Sequence, residues 1–148
     1  MPHRWYTVAS TSFAVSSRSV TSAPILSVRP ITRPGKAPAA VTEFATRDNW
    51  EAIDTAIDAL DGALGLSSPG AARLLVIVSD GDFRPVPRQN GQQLLDRLRA
   101  TGCAVLWITP DVMWRKPMTG ATVHVMTDPT TTAQAIGRAA TAALRATH

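Results

Sequence analysis

Leu74-Leu75-Val76-Ile77-Val78-Ser79-Asp80-Gly81-Asp82 decides the fold. Its first five residues form an unbroken apolar run of strand length, and the chain then turns polar at once. A strand with one wet face alternates apolar and polar residues. An unbroken run is buried on both faces, as a central strand of a parallel sheet is.

The neighbouring segments agree with that reading. Downstream, residues 92–100 predict a short helix with Leu94, Leu95 and Leu98 inward and Gly102 as its stop. Ala104-Val105-Leu106-Trp107-Ile108 reads as a second buried strand, ending at Pro110-Asp111. Thr122-Val123-His124-Val125-Met126 reads as a third, ending at Thr127-Asp128-Pro129. Residues 130–146 predict a closing helix that turns Ala133, Ile136, Ala140, Ala143 and Leu144 to the sheet. Upstream, Trp50, Ile53, Ile57, Leu60 and Leu64 recur at steps of three and four, which predicts an amphipathic helix over residues 48–64. Asp48 and Glu51 read as its capping box and Gly65 as its stop. Asp54, Asp58 and Asp61 share another face of that helix. The alternation predicts an α/β fold: a three-layer α/β/α sandwich with a Rossmann-like, mostly parallel sheet.

The residues before this core differ from it. No carboxylate precedes Glu43, while Arg4, Arg18, Arg29, Arg33 and Lys36 do. Residues 1–42 are read as an N-terminal strand or hairpin and a Pro-rich linker, and residues 43–148 as the α/β core of a single domain. The β-rich stretch from Tyr6 to Val15 supplies the first strand, with a second around Ile25-Leu26-Ser27-Val28. Basic residues there discourage edge pairing.

Composition excludes several function classes. The chain has 148 residues, of which 45% are hydrophobic and 18% charged, too apolar for a disordered chain and too short for two cores. No stretch approaches the roughly 20 apolar residues that cross a bilayer, so no membrane role is expected. No secretory signal follows Arg4, and the single cysteine, Cys103, excludes an internal disulfide framework; a reduced, cytoplasmic protein is expected. The net charge of +4 arises before residue 43, and that segment lacks a basic run with interleaved aromatics. Nucleic acid is therefore the weaker partner class and a protein the stronger one. Phosphate-loop, dinucleotide and nucleophile-elbow motifs are absent, so no catalytic residue is assigned.

Ligands of an open parallel sheet bind beyond the carboxyl ends of its strands. Asp80, Asp111 and Asp128 stand there. Asp111 and Asp128 read as turn and helix-start residues. Asp80, leaving the most apolar strand, suits a hard divalent cation held by oxygen ligands. Arg84-Pro85-Val86-Pro87-Arg88 reads as a stiff basic loop beside it, placing Arg84 and Arg88 to meet an acidic partner; Met113 and Trp114 offer an apolar contact. His124 reads as a core or half-buried residue and Cys103 as a small buried one.

From Trp50 onward the chain resembles the von Willebrand factor A family. The likeness rests on the helix before the key strand, on Leu74-Leu75-Val76-Ile77-Val78-Ser79-Asp80-Gly81 as the apolar-strand-then-(T/S)-D-G signature, and on the following helix, glycine and apolar strand through Ile108. The resemblance implies a protein-interaction module with a metal-ion-dependent adhesion site binding Mg²⁺. Asp80 matches that site's D-G aspartate, Thr46 or Asp48 stands near the position of its threonine, and Asp82 is a secondary ligand. The family's D-x-S-x-S motif is absent, because the first aspartate in the chain is Asp48. Val8-Ala9-Ser10-Thr11-Ser12 has the serines without the acid. The chain is thus expected to be an incomplete or truncated member, lacking the strand beside Leu74–Val78, with a weak, water-rich Mg²⁺ site. The alternative class is a metal-dependent α/β enzyme using Asp80 and Asp82 for phosphoryl or glycosyl chemistry.

Overall fold

The structure, a computed structural model, describes residues 52–146. The N-terminal strand and hairpin expected in residues 1–42 lie outside the described residues, as do Trp50, Thr46 and Asp48.

Six elements follow in order: α1 (Ile53–Leu64), β1 (Leu74–Val78), α2 (Pro85–Ala100), β2 (Ala104–Pro110), β3 (Thr122–Met126) and α3 (Pro129–Arg145). The fold is mixed α/β, with three parallel strands among the described residues in one sheet of order β1-β2-β3. Leu75 pairs with Val105 and Ile77 with Trp107; Ile108 then pairs with His124.

The two-residue period of the strands sorts their side chains. Leu75, Ile77, Val105 and Trp107 join one buried cluster with Ile53, Ile57 and Leu60 of α1 and Leu95 and Leu98 of α2. Leu106 and Ile108, also buried, take the opposite face by alternation, and α3 contacts all three strands. Trp107, Leu95 and Leu98 are fully buried, each stabilising the core by roughly 1.5–3 kcal/mol.

The sequence reading needs four corrections. The strand with both faces covered is β2, not β1: β2 is buried from Val105 through Thr109, whereas Val78 of β1 is 58% exposed. Among the described residues β1 pairs only with β2 and is an edge. Second, α1 starts at Ile53. Ala52 has non-helical backbone angles (φ −100°, ψ 72°) and caps without a side-chain bond; Asp48 and Glu51, the expected capping pair, lie outside the described residues. Third, the 84–88 segment is not a loop. Arg84 is the N-cap of α2, and Pro85 and Pro87 lie in the first turn, where a missing N–H costs no intrahelical bond. Fourth, the buried side of α3 is Ala135 and Ala143, with Ala133 and Ile136 exposed. Side chains among small alanines and threonines give too little contrast to fix the phase of a helix. Gly65 does end α1 in a left-handed turn, its N–H donating to the Asp61 carbonyl.

Parallel strands need a crossover of a dozen or more residues, usually a helix. The β1–β2 crossover is α2. The β2–β3 crossover, residues 111–121, is irregular, and it passes on the side of α2, since Met118 is buried in the α1/α2 cluster. Gly91 permits that crowding: a Cβ there would stand 3.0 Å from both Ile53 Cγ2 and Met118 Cε. None of the described helices is long and apolar enough to cross a membrane.

Candidate functional site

The turn after β1 is built from its own sequence. Ser79 Oγ accepts from the Gly81 N–H at 3.0 Å, and Asp80 Oδ1 accepts from the Asp82 N–H at 3.0 Å. Short polar side chains that bond the backbone two residues on make such turns. Gly81 sits at φ 84°, and a Cβ there would run into the Lys116 carbonyl. A side chain is excluded at this position both by backbone angle and by space.

The rest of the molecule then fixes the turn. Trp107 Nε1 donates to the Ser79 carbonyl at 2.8 Å. The Phe83 ring packs edge-on against Trp107, with centroids 6.0 Å apart. The Lys116 N–H donates to the Asp80 carbonyl at 2.6 Å. Arg88, from the first turns of α2, donates to the carbonyls of Gly81 at 3.0 Å, Lys116 at 2.9 Å and Pro117 at 3.3 Å. Its planar fork ties the 79–82 turn to the 111–121 crossover. Gln92 continues the seam, donating to the Thr119 carbonyl at 3.0 Å and accepting from the Thr119 N–H at 2.9 Å.

The second half of the crossover is therefore anchored by Arg88, Gln92 and buried Met118. Its first half displays Met113, 99% exposed, and Trp114, 62% exposed. Arg115 pairs with Asp111 at 3.0 Å across one helical-type turn spacing.

Of the site residues expected from sequence, Asp80 and Asp82 occupy the turn, and Lys116 Nζ stands 3.5 Å from Asp82 Oδ1. Arg84 is exposed at the N-cap of α2. Arg88 faces the turn with three backbone bonds instead of projecting from a loop. Thr46 and Asp48 lie outside the described residues. Sequence reasoning missed the roles of Trp107, Gln92 and Lys116 in this seam. Nothing local marks them, because their partners are 27 to 36 positions away in the chain or reached only through the sheet.

The fit to a divalent cation can be judged from the donors. No group of three His, Cys, Asp or Glu that could hold a metal stands among the described residues. Asp80 already accepts a backbone N–H, and the Lys116 ammonium holds the cationic place beside Asp82. Asp80 and Asp82 alone do not make a Mg²⁺ cage.

Asp128 has a different task. Its Oδ1 accepts from the Thr131 N–H at 2.9 Å and its Oδ2 from the Thr131 hydroxyl at 2.8 Å, capping α3. Those two bonds, backbone first, hold its carboxyl below the ordinary aspartate range. Cys103 is buried at the start of β2, and burial pushes its thiol up. His124 is half-buried, with Nε2 3.3 Å from the Thr132 hydroxyl.

Comparison of the chain with protein-family models, with curated proteins and with solved structures finds no match.

Proposed function

We propose that this chain is a protein-interaction module of the von Willebrand factor A type, a three-layer α/β/α sandwich, that docks a partner loop at the carboxyl end of its sheet. The observation that carries the reading is the braced 79–82 turn: a short acidic turn immobilised from below by Trp107 and from the side by Arg88 and Lys116. A turn held that firmly presents Asp80 and Asp82 without an ordering cost on binding. The same crossover that braces it displays Met113 and Trp114. Tryptophan next to fixed charge is the composition of an interface anchor.

In this reading Trp114 fills an apolar pocket of the partner, while Asp80 and Asp82 accept from its donors. Arg84, exposed at the start of α2, meets a partner carboxylate. Arg88 acts as a positioning residue. Cation assistance would require Thr46 or Asp48 to join Asp80, and a Mg²⁺ titration of the full chain with and without Asp80→Ala tests that requirement.

The deciding experiment first isolates a binder with the intact chain and then titrates that purified binder. Asp80→Ala and Trp114→Ala are each expected to weaken binding by about tenfold or more, Trp114→Ala with thermal unfolding unchanged and Asp80→Ala with a cooperative transition retained despite the lost bond to the Asp82 N–H. Affinity of both variants for the purified binder equal to the parent's would overturn the proposal.

A further inference from the structure

A cavity of about 330 Å³ lies at the amino end of the sheet, at the opposite end of the strands from the 79–82 turn. Leu74 and Ala104, the first residues of β1 and β2, line it together with Ala139 and Ala142 of α3. These four side chains offer hydrocarbon and no hydrogen bond. Arg99, near the end of α2, lines it too. Gly120 takes φ 86°, and a Cβ there would collide with the Arg99 guanidinium, which therefore lies directly against the backbone of the crossover. Among the described residues the Arg99 side chain makes no hydrogen bond, and its charge contact is Asp96 at 3.6 Å. Arg73, by comparison, commits its guanidinium to the carbonyls of Leu66, Ala71 and Thr101.

We propose that this cavity binds a small aliphatic carboxylate. A guanidinium offers a carboxylate two parallel N–H donors, a pairing that the 3.6 Å contact with Asp96 leaves unformed. The apolar lining then takes the hydrocarbon tail. A volume of about 330 Å³ equals the liquid volume of about eleven waters, which is room for a ligand of about ten non-hydrogen atoms. It stands at the small end of ligand pockets, which run from roughly 300 to 1,000 Å³. Octanoate matches in both size and chemistry. A phosphate or a sugar would leave most of its polar groups facing alanine and leucine, which costs free energy where no partner replaces water. An aliphatic amine would bring a like charge to Arg99.

Sodium octanoate, octanol and octylamine titrated into the full chain, followed by amide chemical shifts, test this. Octanoate is expected to give saturable shifts at Leu74, Ala104 and Gly120 while Asp80 and Gly81 stay unmoved. Octanol is expected to bind about tenfold more weakly, and octylamine more weakly still. Arg99→Gln, at a side chain 43% exposed, is expected to fold as the parent does, to bind octanoate about tenfold more weakly and to bind octanol as before. Ala142→Leu, at an exposed helix position on the rim, is expected to weaken octanoate and octanol alike. Octanoate shifts that do not saturate, or that spread evenly over the molecule, overturn the proposal. Equal affinity for octanoate and octanol overturns it as well, and so does undiminished octanoate binding by Arg99→Gln.

Discussion

Trp107 Nε1 reaches the Ser79 carbonyl at 2.8 Å, so the most buried aromatic of the core is also the floor of the acidic turn. Core packing and site geometry are one structure at this point. Trp107→Phe keeps an aromatic ring but removes the donor and leaves a partial cavity. The expected loss is about 2–4 kcal/mol, read by urea unfolding, since a part-buried carbonyl loses the indole donor and the ring no longer fills its space. An unchanged midpoint would show that the Ser79 carbonyl is satisfied without Trp107.

Gly81→Ala should cost about 2 kcal/mol or more. The substitution demands a left-handed backbone for alanine and presses a methyl group into the Lys116 carbonyl. The same readout serves, and amide exchange at Lys116 should quicken, because its N–H bonds the Asp80 carbonyl across that contact. Stability equal to the parent would contradict the close approach.

Arg88→Ala is expected to destabilise by about 1–3 kcal/mol, because the Lys116 and Pro117 carbonyls lose the guanidinium donor and the Gly81 carbonyl keeps only the Phe83 N–H. Arg88→Lys should recover only part of this, because an ammonium cannot span the three acceptors that a guanidinium fork does. If Arg88 instead met a partner directly, both variants would fold as stably as the parent and differ only in binding. Unfolding curves for the free protein separate the two.

Asp128→Ala should lower Tm by removing the cap of α3. The pH dependence follows in sign from the lowered carboxyl. Because the folded state holds this group ionised below its unfolded value, the stabilisation is complete above the ordinary aspartate range and is lost as pH falls through the folded value. The Tm difference between parent and Asp128→Ala should therefore shrink in acid. A difference that is constant down to strongly acidic pH would argue against the Thr131 bonds as its source.

Cys103 should react slowly with a disulfide reagent at mildly alkaline pH and at full rate in denaturant. Burial leaves it 3% exposed and raises its thiol, so little thiolate is presented. The raised value also means that this group's contribution is present at neutral pH and is lost as pH climbs above the ordinary thiol range. Rapid labelling of the folded chain would show that the start of β2 opens readily.

The sequence by itself determined the elements whose signal is local. The apolar runs of β1 and β2, the spacing of Ile53, Ile57 and Leu60, the left-handed Gly65 and the capping role of Asp128 depend on neighbours a few residues away, and each is legible from composition and period. It also placed Asp80 beyond the end of β1. Tertiary structure alone decided which strand is covered on both faces, because strand order is a matter of which partners a sheet admits and not of how apolar each strand is. It decided that Pro85 and Pro87 open a helix, since a proline that forbids a helix interior suits its first turn. It decided that Arg88, read as a free basic residue, is spent on three carbonyls, two of them in a crossover 28 and 29 residues away. Local energetics write elements into a sequence, whereas the bonds that brace the site join residues that only the folded chain brings together.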